Sequence, residues 1–247
     1  MATARRWVTE LATTPPAGLV TFLLEHSGLP GPRANLGLLE AVARTVPDDT
    51  LDDLARSPEE YLRMCGTAGL GRLLTAGSTG ADDGSTPTSA EVSWMLHERA
   101  ADPSWRVREA AAMALQILGD SDRAALCTVV ADWVQDPDPL VRRAAVAGIC
   151  EPRLLTDPST RRAALAACLV TTGSIRSVPR TLRADPGLRT LRQALGYAWS
   201  VAVAASPEDG LDEMGALGAD EDPDVAWIVR NNLTKARLRR LLGPAVV

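Results

Sequence analysis

The chain repeats one phrase at a spacing of 34 residues. ADPSWRVREAAAMALQIL, which begins at residue 101, returns as QDPDPLVRRAAVAGI, so that Asp102 and Val107 correspond to Asp136 and Val141. A repeat of this length without a strand-like segment is typical of stacked helical hairpins. Solenoids of this kind usually act by presenting a surface. We therefore predict an all-α fold whose function depends on a surface.

An apolar stripe runs through each copy of the repeat. Five residues of the first copy recur at helical spacing and share one face of a helix. They are Val107, Ala111, Ala114, Leu115 and Leu118. The second copy keeps this stripe. Because small residues let helix axes approach closely, we expect each stripe to pack tightly against neighbouring helices.

Helix starts are marked by proline pairs. Asp-Pro occurs six times and Ser-Pro twice. Asp or Ser at the N-cap accepts an unpaired backbone N–H, and Pro at the first helical position has no N–H to leave unpaired. These signals predict five helices before residue 77 and nine after residue 87. The later set includes helices at 158–172, 175–183 and 223–242.

One segment lacks the apolar side chains that packing requires. Residues 77–89, GSTGADDGSTPTS, contain Ala81 as their one apolar residue, so we predict a mobile surface loop. The predicted organisation is an N-terminal helical region at 1–76, interpreted as degenerate repeats, then this loop, then a repeat region at 90–247.

The composition limits the expected compartment and partners. A net charge of −5 disfavours a dedicated nucleic-acid binder, although a local basic patch can override the total. The N-terminus lacks the apolar core of a signal peptide, and no apolar run approaches the ~18 residues of a membrane span. We expect a cytosolic protein. The four widely spaced cysteines predict neither a disulfide framework nor a zinc site.

The motifs predict no cofactor and no metal. Lys235 is the only lysine and follows Thr, whereas a phosphate-binding Walker loop needs Gly before the lysine. Asp220, Asp222 and Asp224 alternate like the start of a calcium loop, but Val225 occupies the position that requires Gly. We interpret these acids as helix caps. Neither histidine has a Cys or a second His nearby.

The repeated phrase resembles a known family. The pattern D-P-x-x-x-V-R-x-x-A-x-x-A, which starts at Asp102, and its second copy are similar to HEAT repeats of the short kind found in many bacterial proteins. EDPDVAWIVRNNL resembles a third, degenerate copy. The resemblance implies a right-handed α-solenoid of about five or six stacked hairpins. It covers residues 90–155 well and residues 156–242 less well.

HEAT repeats specify a fold strongly and a function weakly. Because the sequence shows no catalytic set and no cofactor loop, we predict a non-catalytic scaffold or adaptor that binds a protein partner through its concave face. A lyase or chaperone for a bilin chromophore is a further hypothesis, which depends only on kinship of repeat type.

A second hypothesis is enzymatic. DNA glycosylases of the AlkD type are similar solenoids that place a Trp and a carboxylate four residues apart on one helix, with an Arg from a neighbouring repeat. Trp105 and Glu109 have this spacing, and Arg142 or Arg143 lies about one repeat later. The resemblance implies that Trp105 would stack on a cationic alkylated base while Glu109 stabilises positive charge on the sugar.

Two features qualify the glycosylase hypothesis. The family has Asp at the position of Glu109, and Trp105 belongs to the general HEAT phrase, in which Trp packs at a hairpin corner. A further aromatic wall would have to come from Trp199 or Trp227.

Charge is blocked along the last third of the chain. Residues 153–192 carry eight Arg and two Asp, residues 208–224 carry eight acids and no base, and residues 230–240 carry five bases and no acid. Stacked hairpins could neutralise these blocks mutually, or a basic ridge could bind an acidic partner or a phosphate backbone. The candidate partner-binding residues are Arg176, Arg180, Arg183, Arg189 and Arg192.

Both copies of the repeated phrase carry an arginine at the same position, and this predicts an ion-pair ladder. Arg108 and Arg142 follow the buried Val of each copy, at the edge of the stripe. We expect them to form an inter-repeat ladder with Asp102 and Asp136.

Overall fold

The computed structural model describes residues 2–76 and 88–243 of the 247-residue chain. Within these ranges every regular element is helical, and no helix is long and apolar enough to cross a membrane. The α-helices are α1 (Ala2–Thr13), α2 (Leu19–Glu25), α3 (Leu36–Thr45), α4 (Asp48–Ala55), α5 (Glu60–Ala76), α6 (Ser89–Ala100), α7 (Trp105–Ser121), α8 (Arg123–Trp133), α9 (Pro139–Ile149), α10 (Pro158–Ser177), α11 (Pro186–Ala205), α12 (Pro207–Gly218), α13 (Pro223–Leu233) and α14 (Ala236–Leu242). The prediction of an all-α fold is confirmed.

Five of the eight proline pairs start a helix as predicted. Four helices, α9, α10, α11 and α13, have Pro in their first turn and an N-cap Asp whose carboxylate accepts a first-turn N–H. These caps are Asp138, Asp157, Asp185 and Asp222. Asp102 differs from these caps, because its carboxylate accepts the Ser104 N–H before the helix starts and α7 begins at Trp105.

Two predicted boundaries are wrong. The break predicted between 172 and 175 is absent, and α10 continues to Ser177, because the cost of Gly173, about 1 kcal/mol, is small beside the burial of Ile175. The rest of the helix predicted at 175–183 is a short 3-10 helix, Arg180–Leu182. The helix predicted at 223–242 is two helices. The Thr234 hydroxyl takes the Asn231 carbonyl that a continuing helix would bond to the Lys235 N–H.

The chain divides into two compact units, residues 1–121 and 122–247. The predicted loop at 77–89 lies outside the described residues except for Thr88 and Ser89, which start α6 in a capping box. In the first unit α5 packs against α3, α4 and α7, so helices from both sides of residues 77–87 share one core. The interpretation of residues 1–76 as degenerate repeats stays a prediction.

In the second unit α11 occupies the centre. It packs against α9 on one side and α13 on the other, and α10 packs against α8, α9 and α11. Each of these helices contacts the next helix in the chain, and α8, α9 and α11 also contact the helix after that. This is the contact pattern of stacked helical hairpins.

The repeat stripe is buried in both copies, as predicted. Its five residues in α7 are at most 1% exposed, and Val141, Ala145 and Ile149 in α9 are 0% exposed. The small residues also permit close packing: a Cβ on Gly71 of α5 would lie 1.9 Å from the Ala114 carbonyl oxygen of α7. The glycines of α5 therefore serve helix contact.

Arginines near the starts of α5, α7 and α10 hold the turn that precedes each helix. A terminal guanidinium N–H donates to the backbone carbonyls five and six residues earlier in each case. The residues are Arg63, Arg108 and Arg161. For Arg108 these acceptors are the carbonyls of Asp102 and Pro103, at 2.6 and 3.0 Å. The clamp satisfies carbonyls that no helix bond reaches.

An ion pair between hairpins is present at Asp102, but its arginine was not the predicted one, and the pairing of Arg142 and Asp136 stays a prediction. The Asp102 carboxylate is 3.1 Å from Nε of Arg63, and both side chains are largely buried. Arg63 belongs to the preceding hairpin and lies 39 residues earlier. Arg108 contacts the backbone of Asp102, whereas the ion pair that joins two hairpins at this point is formed by Arg63.

Candidate functional site

The glycosylase hypothesis combines residues of two helices. Trp105 is the first residue of α7, and Glu109 follows one turn later. Trp105 is 57% exposed, and the Arg106 guanidinium lies 4.8 Å from its ring centroid. This exposure shows that the expectation that Trp105 packs at a hairpin corner is wrong. Trp105 lies before Val107, the first residue of the buried stripe, and is not part of that stripe. Arg143 lies on α9, in the second unit.

The two tryptophans suggested as a further aromatic wall differ in accessibility. Trp199 of α11 is 0% exposed, and its indole N–H donates to the Thr172 hydroxyl at 3.0 Å. It is a core residue and cannot stack on a nucleotide. Trp227 of α13 is half-buried.

Other titratable side chains include one histidine and one cysteine pair that contact neighbours within the fold. In the described ranges no group of His, Cys, Asp and Glu side chains could hold a metal. The His26 ring stacks on Phe22 with centroids 4.5 Å apart. The Sγ atoms of Cys150 and Cys168 are 3.7 Å apart, and their hydrogen bond together with burial raises the pKa of the Cys168 thiol.

Three of the five candidate arginines are paired with aspartates that precede or begin α13. The closest contacts are Arg176–Asp220 at 3.0 Å, Arg183–Asp222 at 2.6 Å and Arg192–Asp224 at 2.5 Å. These pairs fit the interpretation that neighbouring charge blocks neutralise each other. Arg180 and Arg189 are exposed, and the structure gives them no ion pair among the residues that it describes.

Arg183 is the most enclosed of these arginines. Its side chain is 10% exposed, and it also donates to the carbonyls of Val178 and Arg176 at 2.7 and 2.8 Å. Burial opposes its charge, but the bonds to Asp222 and Asp224 outweigh it and raise the pKa of Arg183. Arg183 thus joins the turn before α11 to the turn before α13.

A small recess lies beside this cluster. Its volume is about 60 Å³, and three guanidinium side chains and one carboxylate line it together with Ile175 and Leu188. The charged residues are Arg183, Arg189, Arg192 and Asp224. The Nε atom of Arg192 is buried and has no acceptor among the described residues.

Trp227 and Arg192 form a pair across α11 and α13. The Arg192 guanidinium lies 4.7 Å from the Trp227 ring centroid. Gly196 makes room for this arrangement, since a Cβ there would lie 2.8 Å from the Trp227 ring. Beneath it, the buried Asn232 side chain accepts the Ser200 N–H at 2.8 Å and so ties α13 to α11.

A second pair, Tyr197 and Arg237, was not predicted from the sequence. Tyr197 is 51% exposed, and Arg237 of α14 donates to its hydroxyl at 2.6 Å while lying 4.7 Å from its ring centroid. The available signal was Tyr197 itself, an aromatic residue that lies between the buried residues Gly196 and Ala198 of α11 and is exposed. We call the set Arg189, Arg192, Tyr197, Trp227 and Arg237 the arginine–aromatic surface.

Comparison with known proteins supports the repeat assignment. Residues 88–150 match the family model described as HEAT repeats, which covers both copies of the repeated phrase. No curated protein matches the chain. Residues 88–150 are HEAT repeats, and the all-helical structure of the chain fits a HEAT-repeat protein.

Proposed function

We propose that the protein is a cytosolic, non-catalytic HEAT-repeat scaffold or adaptor that binds a protein partner. HEAT repeats expose helix surfaces that commonly contact other proteins. The observation that carries the proposal is the arginine–aromatic surface, where two aromatic rings are each paired with an arginine on adjacent helices.

The composition of this surface suits a protein interface. Trp, Tyr and Arg are the residues most enriched among those that dominate binding energy at interfaces. Each arginine is already held, Arg192 by Asp224 and Arg237 by the Tyr197 hydroxyl. Side chains that are ordered before binding lose less conformational entropy when a partner docks.

The proposal is tested by capture of partners from native cell extract on the immobilised full-length protein, with quantitative mass spectrometry. We compare the wild type with Tyr197→Ala and with the control Trp94→Ala, an exposed aromatic of α6 that is 63% accessible. We expect a protein that the wild type and Trp94→Ala retain and that Tyr197→Ala loses. Equal retention by all three would contradict the proposal.

The non-catalytic part of the proposal has its own test. Alkylated DNA is incubated with the wild type and with Glu109→Gln, and released base is measured. We expect no release by either protein. Release by the wild type that Glu109→Gln abolishes, with unchanged circular dichroism, would show an enzyme.

A further inference from the structure

We infer that the arginine–aromatic surface binds an acidic segment of a partner protein, with one carboxylate of that segment seated in the recess between Arg189 and Arg192. This inference rests on the proposed function and specifies the chemistry of the partner.

The recess has the positive charge and the small volume that suit a small anion. Arg183 and Arg192 are compensated by Asp222 and Asp224, whereas Arg189 is exposed and has no ion pair among the described residues. The local balance of these five side chains is therefore one positive charge. A volume of about 60 Å³ corresponds to roughly two water molecules, which is room for a carboxylate group.

The recess also presents hydrogen-bond donors. The guanidinium of Arg189 lines the recess and is accessible. Guanidinium groups bind carboxylates through short, charge-assisted hydrogen bonds. A carboxylate in the recess would therefore pair with Arg189, which has no ion pair among the described residues.

The surface outside the recess also carries positive charge that favours an acidic partner. Residues 230–240 carry five bases and no acid, and Arg239 and Arg240 of α14 are exposed. Tyr197 lies on the same helix as Arg189 and Arg192, contacts Arg237 of the basic segment, and offers an exposed aromatic ring for an apolar contact. An acidic segment that also carries an apolar or aromatic side chain matches both features.

Protein carboxylates fit better than a nucleic-acid backbone. Asp224 forms part of the recess wall, and residues 208–224 of the same unit carry eight acids and no base. A dense phosphate chain would meet this repulsion along its length, whereas a single acidic segment can place its charges on the arginines alone.

The probe is a labelled random copolymer of glutamate and tyrosine, and its binding to the full-length protein is measured by fluorescence anisotropy at low ionic strength. The test variant is Arg189→Glu, which removes the unpaired cation. The control is Arg162→Glu, an exposed arginine of α10 with the same change in net charge. We expect Arg189→Glu to weaken binding about tenfold and Arg162→Glu to change it about twofold or less.

Three outcomes would overturn the inference. They are no binding of the copolymer by the wild type, equal weakening by the two variants, and tighter, Arg189-dependent binding of a short duplex DNA. Loss of a captured partner in Tyr197→Ala combined with full copolymer binding by Arg189→Glu would reject the carboxylate seat while leaving the proposed function intact.

Discussion

The ion-pair cluster around Arg183 allows a sharp prediction of stability. Arg183→Ala removes bonds to Asp222 at 2.6 and 2.8 Å and to Asp224 at 3.2 Å. The Asp222 side chain is 9% exposed, so its charge would remain in a poorly hydrated position. Breaking one side of a buried pair costs about 3–5 kcal/mol, and the two backbone N–H bonds that Asp222 keeps place this case near 3 kcal/mol.

Arg176→Ala is the matched control because it removes a more exposed ion pair to the same turn before α13. Arg176 is 60% exposed and contacts Asp220 at 3.0 Å, so its removal should cost less than about 1 kcal/mol. We measure the free energy of unfolding by urea titration with far-UV circular dichroism, and we locate the effect by hydrogen exchange. For Arg183→Ala the amides of α11 and α13 should exchange faster.

The result that refutes this reasoning is equal stability of the two variants. It would mean that Asp222 is well solvated after the arginine is lost, and that the turns before α11 and α13 do not depend on their ion pair. Faster exchange confined to α8 would contradict the assigned location.

Three further predictions concern packing, buried polarity and pH. Gly71→Ala should lower the melting temperature, at a cost of about 3 kcal/mol, because its Cβ would meet the Ala114 backbone; thermal unfolding checks this. Asn232→Leu should cost about 3 kcal/mol in urea titration, since it removes the buried side-chain bonds to the Ser200 N–H and the Leu195 carbonyl that tie α13 to α11. Burial opposes the charge of Asp222, but hydrogen bonds lower its pKa below the ordinary value of about 4. The stabilisation that the charged carboxylate provides is therefore complete above that pH and is lost on further acidification. A pH series of melting temperatures should show this loss, and the loss should be smaller in Asp222→Asn.

The helices were predictable because their signals are local. Apolar spacing and Asp-Pro caps act within one or two turns, so the buried stripe and the starts of α9, α10, α11 and α13 follow from the sequence. The ends of helices were less predictable. At the split after α13 the Lys235 N–H bonds to the Asn232 carbonyl instead of the Asn231 carbonyl, which accepts the Thr234 hydroxyl, and no pattern in the sequence marks this change.

The partners of the arginines were harder to predict because each depends on which turn lies within reach. Arg63–Asp102 and Arg183–Asp222 are both separated by 39 residues. Each joins a turn or helix start to the turn one hairpin later. The 34-residue phrase spacing drew attention to Arg108 instead, whose observed acceptors include two carbonyls of its own turn.

The candidate site was predictable in part. The charge blocks pointed to the arginines that precede and begin α11, but not to the division between those paired with aspartates and the exposed Arg180 and Arg189. Tyr197 and Arg237 are 40 residues apart and meet only because α14 packs against α11. No local pattern carries that information.

The central claim, that the arginine–aromatic surface contacts a protein, is tested most directly by site-specific photocrosslinking in cells. A benzophenone amino acid replaces Gln193, an exposed residue of α11 between Arg189 and Tyr197, and in a parallel protein it replaces Trp94 of α6. We expect a discrete protein adduct from position 193 and none from position 94. An adduct with nucleic acid at position 193, or a protein adduct from position 94 alone, would contradict it.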